Sequence, residues 1–208
     1  QGWAFAICHS SNGAQSEQVL YDCESGPSAD YAEMYPVEPD VEIGDIVAPC
    51  TETAVTIDTS TTKGGATISK LAKSQQPYQD NIIGIVSDPS AATDFNVIGY
   101  NIADEDNPMP IALSGRLPVK VSLEGGPITV GDRITSSSIP GVGMKATRSG
   151  LAIGIAIESF DGTLPDGTSS SRGKILVFVN LGYSRISPKI ANGELQEGVF
   201  TDIDSIYS

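Results

Sequence analysis

Two stretches of this chain carry the same order of polar and apolar positions. Residues 41–47 read Val-Glu-Ile-Gly-Asp-Ile-Val, and residues 128–134 read Ile-Thr-Val-Gly-Asp-Arg-Ile. Each is followed by an apolar run broken by one glycine: Ile82-Ile83-Gly84-Ile85-Val86-Ser87 after the first, Ala152-Ile153-Gly154-Ile155-Ala156-Ile157 after the second. The two glycines lie 40 residues apart in the first copy and 23 in the second, so a common framework carries loops of different length. A Gly-Asp turn between β-branched runs, recurring with its glycine-containing strand, predicts an all-β fold. The expected architecture is a small barrel or sandwich made of two pseudo-repeated strand-turn-strand halves, with an N-terminal arm and a C-terminal tail.

Short alternating or apolar runs place strands at 45–49, 53–58, 66–72, 82–87, 95–100, 109–113, 117–122, 128–135, 143–148, 151–159 and 174–181. The run Ile175-Leu176-Val177-Phe178-Val179 has no polar interruption, which predicts a central strand covered on both faces. By contrast, Pro118-Val119-Lys120-Val121-Ser122 alternates as a half-exposed strand does. Glu124-Gly125-Gly126-Pro127 and Pro140-Gly141 carry the residues of tight turns. Helix is expected only as short turns, around Ala29–Met34 and Pro188–Leu195. The polar segments 59–65 and 161–173 have few apolar anchors and are expected to be mobile. Three regions follow: an arm over 1–29, a β-domain over 30–182, and a tail over 183–208 with spaced apolar residues.

Composition agrees with this pattern. The 208 residues include 22 Gly and 13 Pro with 18% charged residues, which suits a turn-rich β protein. No window approaches the ~18–20 consecutive apolar residues of a membrane-spanning helix, and no signal-peptide pattern precedes the start. A net charge of −14 argues against nucleic-acid binding, which needs clustered Lys and Arg. Cys8 and Cys23 bracket a polar loop, and a disulfide between them would close about 15 residues at a gain of roughly 3 kcal/mol. Such a bridge implies an extracellular setting. Cys50 is left over, either as a buried free thiol or with an intermolecular partner.

Candidate chemistry is thin. His9, the sole histidine, sits beside Cys8 in the arm, and adjacent strand residues face opposite ways, so no Cys-His or Ser-His-Asp catalytic set is expected. Asp104 and Asp106 are the weak candidates for a calcium site; the ligand order of an EF-hand is absent there. No other cofactor is expected. Arg116 with Lys120 is a weak anion candidate.

The segment from Ser28-Ala29-Asp30-Tyr31-Ala32-Glu33-Met34-Tyr35-Pro36, through Gly44-Asp45-Ile46-Val47 and Ile82-Ile83-Gly84-Ile85-Val86-Ser87, continues in Pro110-Ile111-Ala112-Leu113-Ser114-Gly115-Arg116-Leu117-Pro118. It closes with Gly173-Lys174-Ile175-Leu176-Val177-Phe178-Val179-Asn180. Over roughly 28–182 this resembles the C-terminal β-domain of phage tail-fibre and bacterial surface-fibre proteins. It is also similar to the region around the self-cleaving intramolecular chaperone of tail spikes. The resemblance implies a module of an extracellular, cell-surface or virion-surface fibre, assembled from copies of itself as a trimer or polymer; the chain is read as a structural module and not an enzyme, with autoproteolysis open only by family analogy. No self-cleaving nucleophile or base maps onto named residues. Trp3, Phe5, Val199, Phe200, Ile203, Ile206 and Tyr207, outside the repeated framework, are the expected intersubunit contacts. Two alternatives stand beside this: an adhesin tip holding a glycan or receptor at Tyr100, Asn101, Asp104 and Asp106, and an autoproteolytic maturation domain.

Overall fold

A computed structural model describes residues 29–57, 66–88, 97–98, 102–185, 190–191 and 194–195. Among them the strands are β1 (Ala29–Pro36), β2 (Ile46–Ile57), β3 (Ala66–Lys73), β4 (Gly84–Val86), β5 (Val97–Ile98) and β6 (Pro108–Ser122). They continue with β7 (Arg133–Ser136), β8 (Gly143–Lys145), β9 (Gly150–Ala156), β10 (Arg172–Ser184), β11 (Ile190–Ala191) and β12 (Glu194–Leu195). The first ten belong to one sheet, and β11 and β12 form a separate two-stranded pair. The fold is all-β.

The sheet contains two five-stranded units built to the same plan. In the second, the C-terminal half of β6 pairs with β8, β8 with β7, β7 with β9, β9 with β10, and β10 returns to β6. Every pairing is antiparallel except β6 with β8. In the first, β1 pairs with the N-terminal half of β6, which pairs with β4, then β2, then β3, all antiparallel. The ring is completed by one parallel bridge, Val37 to Leu71. Strand for strand, β1, β2, β3, β4 and the first half of β6 correspond to the second half of β6, β7, β8, β9 and β10. Strand β6 is therefore the last strand of one unit and the first of the next, and no linker separates them.

Inward positions of β6 and β10 fill the core of the second unit: Leu117 faces Val177, and Val119 faces Ile175. This cluster also reaches Ile46, Ile82 and Ile85 of the first unit. A smaller cluster of Val37, Val41, Val47, Leu71, Val86 and Ile111 closes the first unit itself. Burial of such aliphatic side chains contributes about 1.5–3 kcal/mol each.

Four expectations are corrected by the fold. Residues 29–34 form strand rather than a helical turn, because Ala29–Pro36 finds a full antiparallel partner in β6. Around Pro188–Leu195 the described residues are the short β11 and β12, not a helix. The run 175–179 is not covered on both faces: Ile175, Val177 and Val179 point inward, while Leu176 is half-buried and Phe178 is 43% exposed. Period two is respected in space although outward positions are also apolar. Segment 161–173 is pinned, with Asp161 and Asp166 accepting the backbone N–H groups of Thr163 and Thr168 at 2.9 Å, and Leu164 packed on the core. The segment 59–65 lies outside the described residues. The expected runs 109–113 and 117–122 merge into β6; the register shift opposite Tyr31 and Ala32 bulges β6 at Leu113, and Gly115 takes φ +121°.

Candidate functional site at the junction of the two units

The recurring Gly-Asp phrase makes the same turn twice. Gly44 and Gly131 take φ of +87° and +95°, a left-handed conformation that side chains resist. In each turn the following aspartate reaches back three residues. Asp45 Oδ2 accepts the Glu42 N–H at 2.9 Å, and Asp132 Oδ2 accepts the Thr129 N–H at 2.7 Å. Across the next strand pair sits a lysine in the same register: Lys73 opposite Val47, Lys145 opposite Ile134. The lysine reaches the aspartate, at 3.6 Å for Lys73–Asp45 and 2.9 Å for Lys145–Asp132. Backbone bonds repeat as well: Val86 N–H donates to Asp45 O and Ala156 N–H to Asp132 O, both at 2.9 Å.

The two turns differ in their surroundings. The first packs against the second unit: a Cβ on Gly44 would meet Pro118 O, Lys174 and Lys120, at 3.3, 3.4 and 3.5 Å. Lys120 Nζ lies 2.8 Å from Asp45 Oδ1 and 2.6 Å from Glu42 Oε2. The Gly141 carbonyl of the second unit accepts the Ile46 N–H at 2.8 Å. Asp45 is left 1% exposed. The second turn has no such cover: among the described residues nothing lies within 4 Å of a Cβ on Gly131, Val130 is 64% exposed, and the Asp132 side chain is 20% exposed.

Beside the buried turn opens a pocket of about 360 Å3, lined among others by Glu42, Asp45, Lys73, Lys120, Pro140 and Arg172. Four of its charged side chains, Glu42, Asp45, Lys73 and Lys120, are paired. Lys120 bridges Glu42 and Asp45, and Lys73 lies between Asp45 and Asp40, the latter at 3.7 Å. Burial alone would lower the Lys120 pKa, but hydrogen bonds and charge from Asp45 and Glu42 outweigh it and raise the value. The Lys120 hydrogen bond is also the main reason the Glu42 carboxyl is held below its usual range. Among the described residues no histidine or thiol lines the pocket. The arrangement is a clasp that fastens one unit onto the other by charge.

Fold and clasp together define a class: an all-β protein of two fused five-stranded units joined through a common strand and a buried ion-pair network. Compared with known family models and with curated proteins, the chain matches none.

The sequence-derived candidates are scattered. Asp104, Glu105 and Asp106 form a short 3-10 turn, and Asp106 is held by Lys70 at 3.0 Å. Among the described residues no group of three or more His, Cys, Asp or Glu is placed to hold a metal. Tyr100 and Asn101, like Cys8, His9, Cys23, Trp3, Phe5, Val199, Phe200, Ile203, Ile206 and Tyr207, lie outside the described residues. Arg116 and Lys120 share the outer face of β6, but Lys120 is engaged by the first unit. Cys50 is a half-buried free thiol on β2, and a hydrogen bond with Thr53 lowers its pKa. Lys73 and Lys145 went unrecognised in the sequence. They stand 28 and 13 residues after their aspartates, and only strand pairing gives them a common register.

A second buried acid has a different fate. Asp30 on β1 is 7% exposed, and among the described residues its Oδ2 has no hydrogen-bond partner. Burial raises its pKa, only partly offset by a hydrogen bond from Ser87. A carboxyl raised on folding binds its proton more tightly in the folded state, so its cost is absent below the unfolded pKa and complete above the folded one. Asp30→Asn is therefore expected to stabilise the protein at neutral pH by on the order of 1 kcal/mol. The gain should vanish below about pH 4. Urea titrations at the two pH values check this; equal effects at both would refute it.

Proposed function

We propose that the chain is a structural module of an extracellular fibre or filament, working by self-assembly rather than by catalysis. The observation that carries this reading is the joint between units. Strand β6 runs without interruption from one five-stranded ring into the next, and a buried ion-pair clasp locks the two together. Such a joint resists bending and pulling, since displacing one unit would break main-chain pairing and separate the charges of the clasp. The paired state of the clasp and the fibre resemblance of the sequence favour the same reading.

The test is native mass by light scattering, on the intact chain and on one lacking residues 183–208. A trimer or larger polymer that dissociates on truncation is the expected result, with the tail as connector. A polymer indifferent to truncation would remove the tail from the mechanism. A monomer in both forms at all concentrations would overturn the proposal.

A further inference from the structure

We propose that the outer face of β6, β10, β9 and β7 is a docking surface for the acidic first unit of a second copy of this chain. The inference rests on the assembly reading above and specifies its contact.

Strand register builds the surface. Arg116 lies opposite Phe178, Phe178 opposite Ile155, and Ile155 opposite Arg133, one row of side chains across four strands. In the next row Pro118 lies opposite Leu176, whose carbonyl accepts the Ile157 N–H at 3.0 Å. Phe178 and Ile157 are 43% and 40% exposed. Arg133 and Lys174 are exposed on the same face, Lys174 lying against Gly44 and near Glu42, and Glu158 accepts the Leu176 N–H at 2.9 Å. An apolar strip with a basic rim is the anatomy of a contact surface rather than of a solvated one.

Charge selects the occupant. Residues 1–112 carry 17 Asp and Glu against 3 Lys, whereas residues 113–208 carry 9 against 9 Lys and Arg. The whole net charge of −14 thus resides in the first half, and the second is neutral with its basic groups partly collected on this face. Two copies placed head to tail bring opposite potentials together, while head to head they do not. The chain already uses this polarity within itself, since Lys120 of the second unit pairs with Glu42 and Asp45 of the first. Asp104 and Glu105, exposed at the acidic turn before β6, supply the counter-charges. A heterologous contact of this kind generates a ring or an open filament.

Sedimentation velocity on the intact chain over a concentration series is the experiment, read at about 25 mM and about 500 mM NaCl, between which the Debye length falls from roughly 20 Å to roughly 4 Å. Association should weaken at least about tenfold at the higher salt. The reversal Arg133→Glu should weaken it comparably at low salt, as should Asp104→Lys with Glu105→Lys. Mixing the two reversed proteins should restore association. The Arg133, Asp104 and Glu105 side chains are exposed, and circular dichroism verifies that each variant folds. Assembly that ignores salt, or survives either reversal, would overturn this surface and leave the fibre reading standing. A chain that stays monomeric would overturn both, including one that instead binds a sulfated polysaccharide through the basic face.

Discussion

Gly154→Ala should lower stability by on the order of 3 kcal/mol or more, among the largest losses for a single methyl group. Its Cβ would lie 2.2 Å from the Phe178 carbonyl oxygen, inside any real contact distance, and a backbone atom in a paired strand cannot rotate away. The β9–β10 pair must separate instead, in the middle of the ring that holds the core. Because the units share one plan, Gly84→Ala should be equally damaging: its Cβ would lie 2.3 Å from the Ala112 oxygen, the matching atom of the first unit. Gly167→Ala is the control. It has φ +80° but nothing within 4 Å, so it should cost only about 1–2 kcal/mol of backbone strain. Urea midpoints for the three variants decide the matter. A Gly84 or Gly154 variant no weaker than the Gly167 variant would show that the strand spacing is not as close as described.

Asp45→Asn is expected to be the second large loss, on the order of 3 kcal/mol. It removes the one buried negative charge between Lys120 and Lys73, whose side chains are 23% and 18% exposed. The equivalent change Asp132→Asn, in a turn open to solvent, should cost only about 1 kcal/mol. The contrast is informative because the two aspartates share the same backbone hydrogen bond and the same lysine register. Their cover differs, and Asp132 also accepts the Thr129 hydroxyl at 2.9 Å. The clasp also sets a pH dependence. Lys120 has its pKa raised on folding, so its contribution is complete below the unfolded value near ~10.4 and is lost as pH rises through the higher folded value. Wild-type stability should therefore fall in strongly alkaline solution, and Lys120→Met should flatten that fall. At the acid end the shifts of Glu42 and Asp132 act oppositely. Both are lowered, so their stabilisation is present above the ordinary carboxyl range and is lost as pH drops through the folded values.

Much of this plan is legible in the chain because a turn and its flanking strands are local chemistry. Gly44-Asp45 and Gly131-Asp132 announce a left-handed glycine followed by a carboxylate able to cap its own turn. The glycines at 84 and 154 announce a place where backbones approach closely. What misled was local appearance without a partner. The apolar run at 175–179 suggests burial on both sides, but Phe178 and Leu176 cover the outer face of the ring. Ser114-Gly115-Arg116 has the composition of a turn, yet long pairing partners on both edges carry β6 straight through it.

The sequence by itself determined the all-β class, the twofold repetition and the turn at the heart of each copy, since these depend on period, glycine and aspartate within a few residues. Only the tertiary structure decided that the two copies share β6, that Lys73 and Lys145 occupy one register, and that Asp45 is buried while Asp132 is open. Those facts depend on pairing between strands tens of residues apart. Loop length separates the partners along the chain, and hydrogen bonding across the sheet brings them together.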